Sequence, residues 1–158
     1  MWYMLDHCAN KVEQNGKWGL ADGDGNVISP CVWEEMCDFS CQRAAVKRDG
    51  KWGFIDPSGE LVIPCVWDAV GRFEDYFDKD CAGVKMDGKW GLIDDEGKLL
   101  IPCQWYGIGH HFDDFCLVVY TDKWDCYEYD IETQQVVGEA DDSRDAYDRP
   151  VVRDYCWG

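Results

Sequence analysis

The tetrapeptide Gly-Lys-Trp-Gly occurs at 16–19, 50–53 and 88–91, and a damaged copy follows at Asp122-Lys123-Trp124-Asp125. Trp18, Trp52, Trp90 and Trp124 are 34, 38 and 34 residues apart. Recurrence at a near-fixed period makes the repeat the structural unit, and a unit this short can bury a core only by packing against its neighbours.

Residues 44–64 show the pattern of one unit. Ala44–Arg48 and Lys51–Asp56 alternate as strands around Asp49-Gly50, and Asp-Gly between two apolar runs is a strong hairpin signal because a type I′ turn needs positive φ at both central residues. Asn15-Gly16 and Asp87-Gly88 fill the same slot. Pro57-Ser58-Gly59 reads as a second turn, and Glu60–Ile63 as a third strand ending at Pro64. Alternation places Trp52 and Phe54 on one face, Gly53 and Ile55 on the other. Gly19, Gly53 and Gly91 sit inside strands, where glycine marks close approach of another backbone. Packing of the next repeat and a β-bulge both account for them.

Connectors then run over Cys31–Gln42, Cys65–Cys81 and Cys103–Cys116. Each carries a tryptophan (Trp33, Trp67, Trp105) and then a phenylalanine (Phe39, Phe73, Phe112), so each is expected to pack down onto the core. Extra residues at 74–80 in the second connector account for the 38-residue spacing. Val12 aligns with Val46 and Val84, so His7–Glu13 supplies the first strand of the first unit. The fourth copy keeps a strand pair at Cys126–Ile131 and Gln135–Val137 but loses both glycines and the Ile-Pro ending, as a terminal capping unit does. The expected fold is therefore all-β: tandem three-stranded antiparallel meander repeats, as a β-solenoid-like stack or a partly closed propeller-like array, with a degenerate C-terminal capping unit. Residues 1–138 form the repeat domain, with repeats at about 16–49, 50–87, 88–121 and 122–138. Residues 139–158 read as an acidic linker followed by a C-terminal strand packed on that domain.

The run Gly-Lys-Trp-Gly-Phe-Ile-Asp-Pro-Ser-Gly-Glu-Leu-Val-Ile-Pro at 50–64 resembles the WG-containing (KWG) repeat family, closely over 16–121 and poorly over 122–138. The resemblance implies a β-rich repeat protein, usually bacterial, with no common enzymatic activity and no agreed catalytic residues. Members look like interaction modules, and some resemble immunity proteins that neutralise toxins in bacterial competition. The chain departs from the pattern in its many cysteines and in Trp33, Trp67 and Trp105, where the family often has tyrosine.

Charge narrows the partner class. The net charge of −17 opposes contact with nucleic-acid phosphates or anionic lipid heads and favours a basic protein surface or a cation. With 46% hydrophobic and 15% aromatic residues the chain has the means to fold over most of its length. No segment approaches the ~20 apolar residues that span a bilayer, and no signal segment opens the chain, which reads as cytoplasmic. Among the ten cysteines, Cys31, Cys65 and Cys103 recur in the same slot and are expected to be small packing residues with free thiols.

No serine-nucleophile elbow, zinc-protease motif or phosphate loop is present, so no catalytic residue, metal or cofactor is expected. Asp22-Gly23-Asp24-Gly25-Asn26 opens like a calcium loop, but Val27 and Trp33 stand where such a loop needs glycine and glutamate. The remaining candidates are partner-binding residues of the connectors: Glu34, Glu35 and Asp38; Glu74, Asp75, Tyr76, Phe77, Asp78 and Asp80; His110, His111, Asp113 and Asp114. Connectors in register are expected to line one edge as an acidic ridge, with aromatics as anchors and carboxylates steering a basic partner. The function expected from these residues and from the resemblance is a non-enzymatic acidic protein-binding module. Its most concrete form is an immunity-type protein neutralising a basic toxin or enzyme. The alternative is a nucleic-acid mimic that blocks a nucleic-acid-binding protein.

Overall fold

The structure, a computed structural model, describes residues 10–76, 79–110, 117–121, 125–139 and 149–150, with Tyr76, His110, Cys126, Glu139, Arg149 and Pro150 described for the backbone alone. Every element among them is a strand, and none is a helix long and apolar enough to cross a membrane. The strands form four antiparallel sheets in chain order. The first holds β1 (Asn10–Gln14), β2 (Lys17–Ala21) and β3 (Val27–Trp33). The second holds β4 (Glu35–Met36), β5 (Ala44–Arg48), β6 (Lys51–Ile55) and β7 (Leu61–Trp67). The third holds β8 (Ala69–Val70), β9 (Glu74–Tyr76), β10 (Lys79–Met86), β11 (Lys89–Asp94) and β12 (Leu99–Trp105). The fourth holds β13 (Gly107–His110), β14 (Leu117–Tyr120), β15 (Cys126–Asp130), β16 (Gln135–Glu139) and β17 (Arg149–Pro150), in the spatial order β16-β15-β14-β13-β17.

Each sheet is the expected meander, and the start of each connector adds a short further strand (β4, β8 or β13) beside the meander that follows. The first turns are built as the sequence requires, with positive φ at Asn15-Gly16, Asp49-Gly50 and Asp87-Gly88. Successive sheets pack face to face. Leu20, Trp33, Met36, Val46 and Ile55 bury one core between the first and second sheets. Trp52, Phe54, Phe73, Val84 and Ile93 form the next, and Trp90, Leu92, Ile101, Ile108 and Val119 the last. The period-2 alternation of β6 thus serves two cores, Trp52 and Phe54 facing onward and Ile55 facing back. Burying a side chain such as Phe54 or Ile93 contributes about 1.5–3 kcal/mol, and both faces of the inner sheets do so.

The third strand corrects one expectation. It does not end at the proline: β3, β7 and β12 run through Pro30, Pro64 and Pro102 to Trp33, Trp67 and Trp105, which pair with Trp18, Trp52 and Trp90. Proline is tolerated there because each of these is an edge strand of its sheet. Between the paired tryptophans and Leu20↔Ser29, Phe54↔Ile63 or Leu92↔Ile101, the third strand carries extra residues as a bulge.

That bulge explains the glycine of the motif. A Cβ on Gly19, Gly53 or Gly91 would lie 2.5, 2.4 or 2.5 Å from the carbonyl oxygen of Ser29, Ile63 or Ile101. The close approach is to the unit's own third strand, not to the next repeat. Over the bare glycine the following cysteine reaches the first strand: the thiols of Cys31, Cys65 and Cys103 donate to the carbonyls of Val12, Val46 and Val84 at 3.7–3.8 Å. These three are free thiols, as are Cys41 and Cys81, whereas Cys37 is disulfide-bonded.

Connector aromatics pack down as expected. Phe73 is fully buried, edge-on to Phe54 with ring centroids 4.7 Å apart, and Phe39 packs against the first core. The inserted residues of the second connector form β9, which folds back on the start of β10. In the fourth unit β15 and β16 replace the expected strand pair with nearly the same bounds. Of the C-terminal segment, β17 pairs with β13, and the rest of that segment lies outside the described residues.

Candidate functional site

Each connector leaves one edge of its sheet and returns at the other, so its acidic residues are divided between two edges. Glu34 and Asp68 follow the strand-ending tryptophans and meet the next unit's first turn. The amide of Asp49 donates to Glu34, and the amide of Asp87 donates to Asp68 at 2.9 Å. Lys51 also pairs with Asp68. That ammonium, joined by the Asp87 amide, holds the Asp68 carboxyl below the usual carboxylate range. Tyr106 takes this slot in the third connector. Glu35 pairs with Lys47 at 3.2 Å, Asp38 with Lys11 at 3.1 Å, and Glu74 with Arg72 at 3.4 Å. Such exposed pairs are worth about 0–1 kcal/mol each, but they cancel the local charge. Two of these cations also lie over tryptophan rings, Lys11 over Trp18 at 5.4 Å and Lys47 over Trp52 at 5.7 Å, as does Arg48 over Trp33 at 4.6 Å.

The structure therefore does not assemble the connector acids into one ridge. Glu34 and Glu35 stay at the first-turn edge, Glu34 accepting from the Asp49 amide and the exposed Glu35 pairing with Lys47. Asp38, Asp75 and Asp80 lie at the opposite edge, with the second turns. Asp75 and Asp80 stand directly across the β9–β10 hairpin from each other. Burial, and then the neighbouring Asp80 carboxylate, push the Cys41 thiol above its ordinary pKa. Tyr76 pairs with Lys79, and His110 with Leu117 and Arg149, through the backbone. Phe77, Asp78, His111, Asp113 and Asp114 lie outside the described residues.

Carboxylates without a side-chain partner among the described residues occur on the second turns as well. Each turn opens with an aspartate bracketing its own backbone. Asp22 accepts from the amides of Asp24 and Asn26, Asp56 from Ser58 and Glu60, Asp94 from Glu96 and Lys98, and Asp130 from Glu132. The Asn26 amide chiefly keeps the Asp22 carboxyl below its usual range. At Asp56 partial burial pulls upward, but the Ser58 and Glu60 bonds win and the value falls. Asp22 is thus occupied by its own loop, and no group of three or more metal-ligating side chains occurs among the described residues. Asp24, Glu60, Glu96 and Glu132 project to solvent beside these brackets and have no side-chain partner among the described residues. The turns are in register because each rests on the preceding unit. Gly59 packs on Ser29, Gly97 on Ile63, and Gln134 Nε2 donates to the Leu99 carbonyl at 3.3 Å.

One groove of about 510 Å³ opens on this edge, lined by Asn10, Lys11, Asp38, Phe39, Cys41, Gln42 and Pro57. Its wall is the Ser40–Arg43 hairpin, whose two tip residues, Cys41 and Gln42, both have positive φ (51° and 61°). Sequence gives no sign of this turn, since neither residue favours the left-handed region. Tertiary contacts hold it: the Ser40 hydroxyl donates to the Phe73 carbonyl at 2.6 Å, and Arg43 Nε to the Asp95 carbonyl at 3.0 Å. Cys65, Cys81 and Cys103 are poor nucleophiles at neutral pH, because burial pushes Cys65 and Cys103 up and Cys81 to about 12. The edge is equipped for contact: backbone-bracketed turns carry the exposed carboxylates of Asp24, Glu60, Glu96 and Glu132 beside Lys98, and a groove is lined in part by Phe39.

A family model described as WG containing repeat matches the chain at 18–52, 52–90 and 90–124, more than half of its length. No curated protein matches it. Among solved structures it is similar to a protein of unknown function from Bacteroides caccae, at 13% identity and a TM-score of 0.35, over 85% of this chain. The chain spans 57% of that protein's length.

Proposed function

This chain belongs to the WG containing repeat family, and from that premise we propose that it is a non-enzymatic acidic module that binds a basic protein surface. Its most concrete form is an immunity-type protein that neutralises a basic toxin or enzyme. The observation that carries this reading is the sorting of charge. Lys11, Lys47, Arg48 and Lys85 lie over tryptophans, and Lys11, Lys47 and Lys51 pair with connector carboxylates. Asp24, Glu96 and Glu132 stand at the same position of their second turns, with Glu60 and Lys98 two residues further along theirs, and the four carboxylates have no side-chain partner among the described residues. Turn brackets and inter-unit packing fix the backbone that carries these groups before binding, which lowers the ordering cost of association. With a net charge of −17, encounter with a cationic partner is accelerated at long range, and salt screens that acceleration.

The test uses the product of the neighbouring gene, purified and titrated against this protein over a salt series. A cationic partner is expected to bind one to one, with an association rate that falls as salt rises. Reversing Asp24, Glu60, Glu96 and Glu132 together to lysine is expected to slow association by at least about tenfold, while reversing Glu34 and Glu35 acts mainly through stability. Association indifferent to salt and to the turn-edge reversal refutes the proposal. Displacement of the partner by generic DNA would instead favour mimicry of nucleic acid, with carboxylates standing for phosphates.

A further inference from the structure

We propose that β16 is a docking edge, onto which an extended basic segment of the partner adds as a further antiparallel strand. This inference rests on the basic-partner reading above and names the point of attachment. Four equivalent strands, β3, β7, β12 and β16, form the outer edges of the four meanders. An open edge is a template for another chain, and proteins blunt it with proline, charge or bulges. The first three edges are blunted. Each has a proline with no N–H to donate (Pro30, Pro64, Pro102), and each has two register irregularities against its neighbour. β16 departs on both counts. Its residues Gln135-Val136-Val137-Gly138-Glu139 contain no proline and a charge only at the last position, and its ladder with β15 has one irregularity, at Val137. Val136 is 43% and Val137 61% exposed, so an apolar strip lies along an edge with no strand on its outer side among the described residues.

Charge selects the occupant. Between Asp125 and Asp142 the chain has seven Asp and Glu residues and no Lys or Arg. A second copy would bring two such edges together, and like charges across a strand pair are destabilising. An extended segment alternating Lys or Arg with β-branched residues matches all three features. Its backbone extends the ladder, its apolar side chains cover Val136 and Val137, and its cations meet Glu128, Asp130 and Glu132. The terminal repeat is where proline and both motif glycines are lost, and on this inference those losses open the edge.

The experiment titrates the full chain with a capped peptide of about seven residues alternating Lys and Val. Amide shifts are followed by NMR, and affinity by anisotropy. Shifts centred on residues 135–139 are expected. N-methylation of alternate peptide amides keeps the charge, removes ladder hydrogen bonds, and is expected to weaken binding by about tenfold or more. Val137→Pro, which copies the blunting of the other edges, is expected to do the same. Should that variant not fold by tryptophan fluorescence, Val137→Lys places a repelling charge at the same point and carries the test. Equal binding of the N-methylated peptide, shifts confined to the second turns, or no binding overturns the proposal. If Val137→Pro still binds a basic partner at full, salt-sensitive strength, the edge is overturned and the basic-partner reading stands. If the peptide adds to β16 while no basic protein binds, the reverse holds.

Discussion

Replacing Gly53 by alanine separates intrinsic strand preference from the packing that the repeat imposes. Glycine in a strand interior is disfavoured, so alanine alone would stabilise by about 0.5–1 kcal/mol. In the fold, the new methyl would lie 2.4 Å from the Ile63 carbonyl oxygen and 2.8 Å from both the Cys65 nitrogen and the Pro64 carbonyl carbon. All three are backbone atoms of β7, so no side chain can rotate away, and the strand itself must shift. The shift also draws the Cys65 thiol off the Val46 carbonyl. Overpacking of this kind costs about 1–3 kcal/mol, and rigid neighbours place it at the upper end, for a net loss of about 2 kcal/mol. For a chain of this size that lowers the melting temperature by about 4–8 °C. Urea unfolding followed by tryptophan fluorescence measures it, with Gly138→Ala as control. A Cβ at Gly138 meets nothing within 4 Å, so that change should be neutral or stabilising by up to about 1 kcal/mol. Gly53→Ala as stable as the wild type would refute the account of the bulge.

Asp68→Asn removes both the Lys51 pair and much of the acceptor strength at the Asp87 turn, so the variant should unfold at lower urea than the wild type at pH 7. Because the folded Asp68 carboxyl titrates below its ordinary value of 3.8, its contribution is complete above that value and disappears as pH falls through the lowered one. The two unfolding midpoints should converge in strong acid, and a gap that persists there contradicts the assignment. Cys65, Cys81 and Cys103 should react with a thiol reagent at pH 8 far more slowly in the folded chain than in urea, Cys81 slowest because its pKa is about 12 against an ordinary 9.0. Mass spectrometry of partly labelled protein reads the order, and rapid labelling of Cys81 in the folded chain would contradict its burial.

The sequence alone determined the repeat, the antiparallel meander and the first turns, because these depend on neighbours along the chain. Asp49-Gly50 needs only its own φ preferences to form a turn, and Trp52-Gly53-Phe54-Ile55 needs only alternation to offer two faces. The tertiary structure decided what approaches each face and each charge. Pro64 reads locally as a strand end, yet β7 continues through it because an edge strand needs no donor on its outer side. Gly53 reads as a close contact, but only the fold identifies the carbonyl of Ile63 as what it meets. Glu34 and Glu60 are equivalent as exposed acids in the sequence. In the fold one receives the Asp49 amide from a turn 15 residues away, and the other has no side-chain partner. Cys41 and Gln42 adopt a turn that their own preferences oppose, held by Phe73 and Asp95 from the next unit. Hydrogen-bond and φ preferences act over a few residues and are written locally. Charge compensation and strain depend on groups that only the stacking of successive sheets brings together.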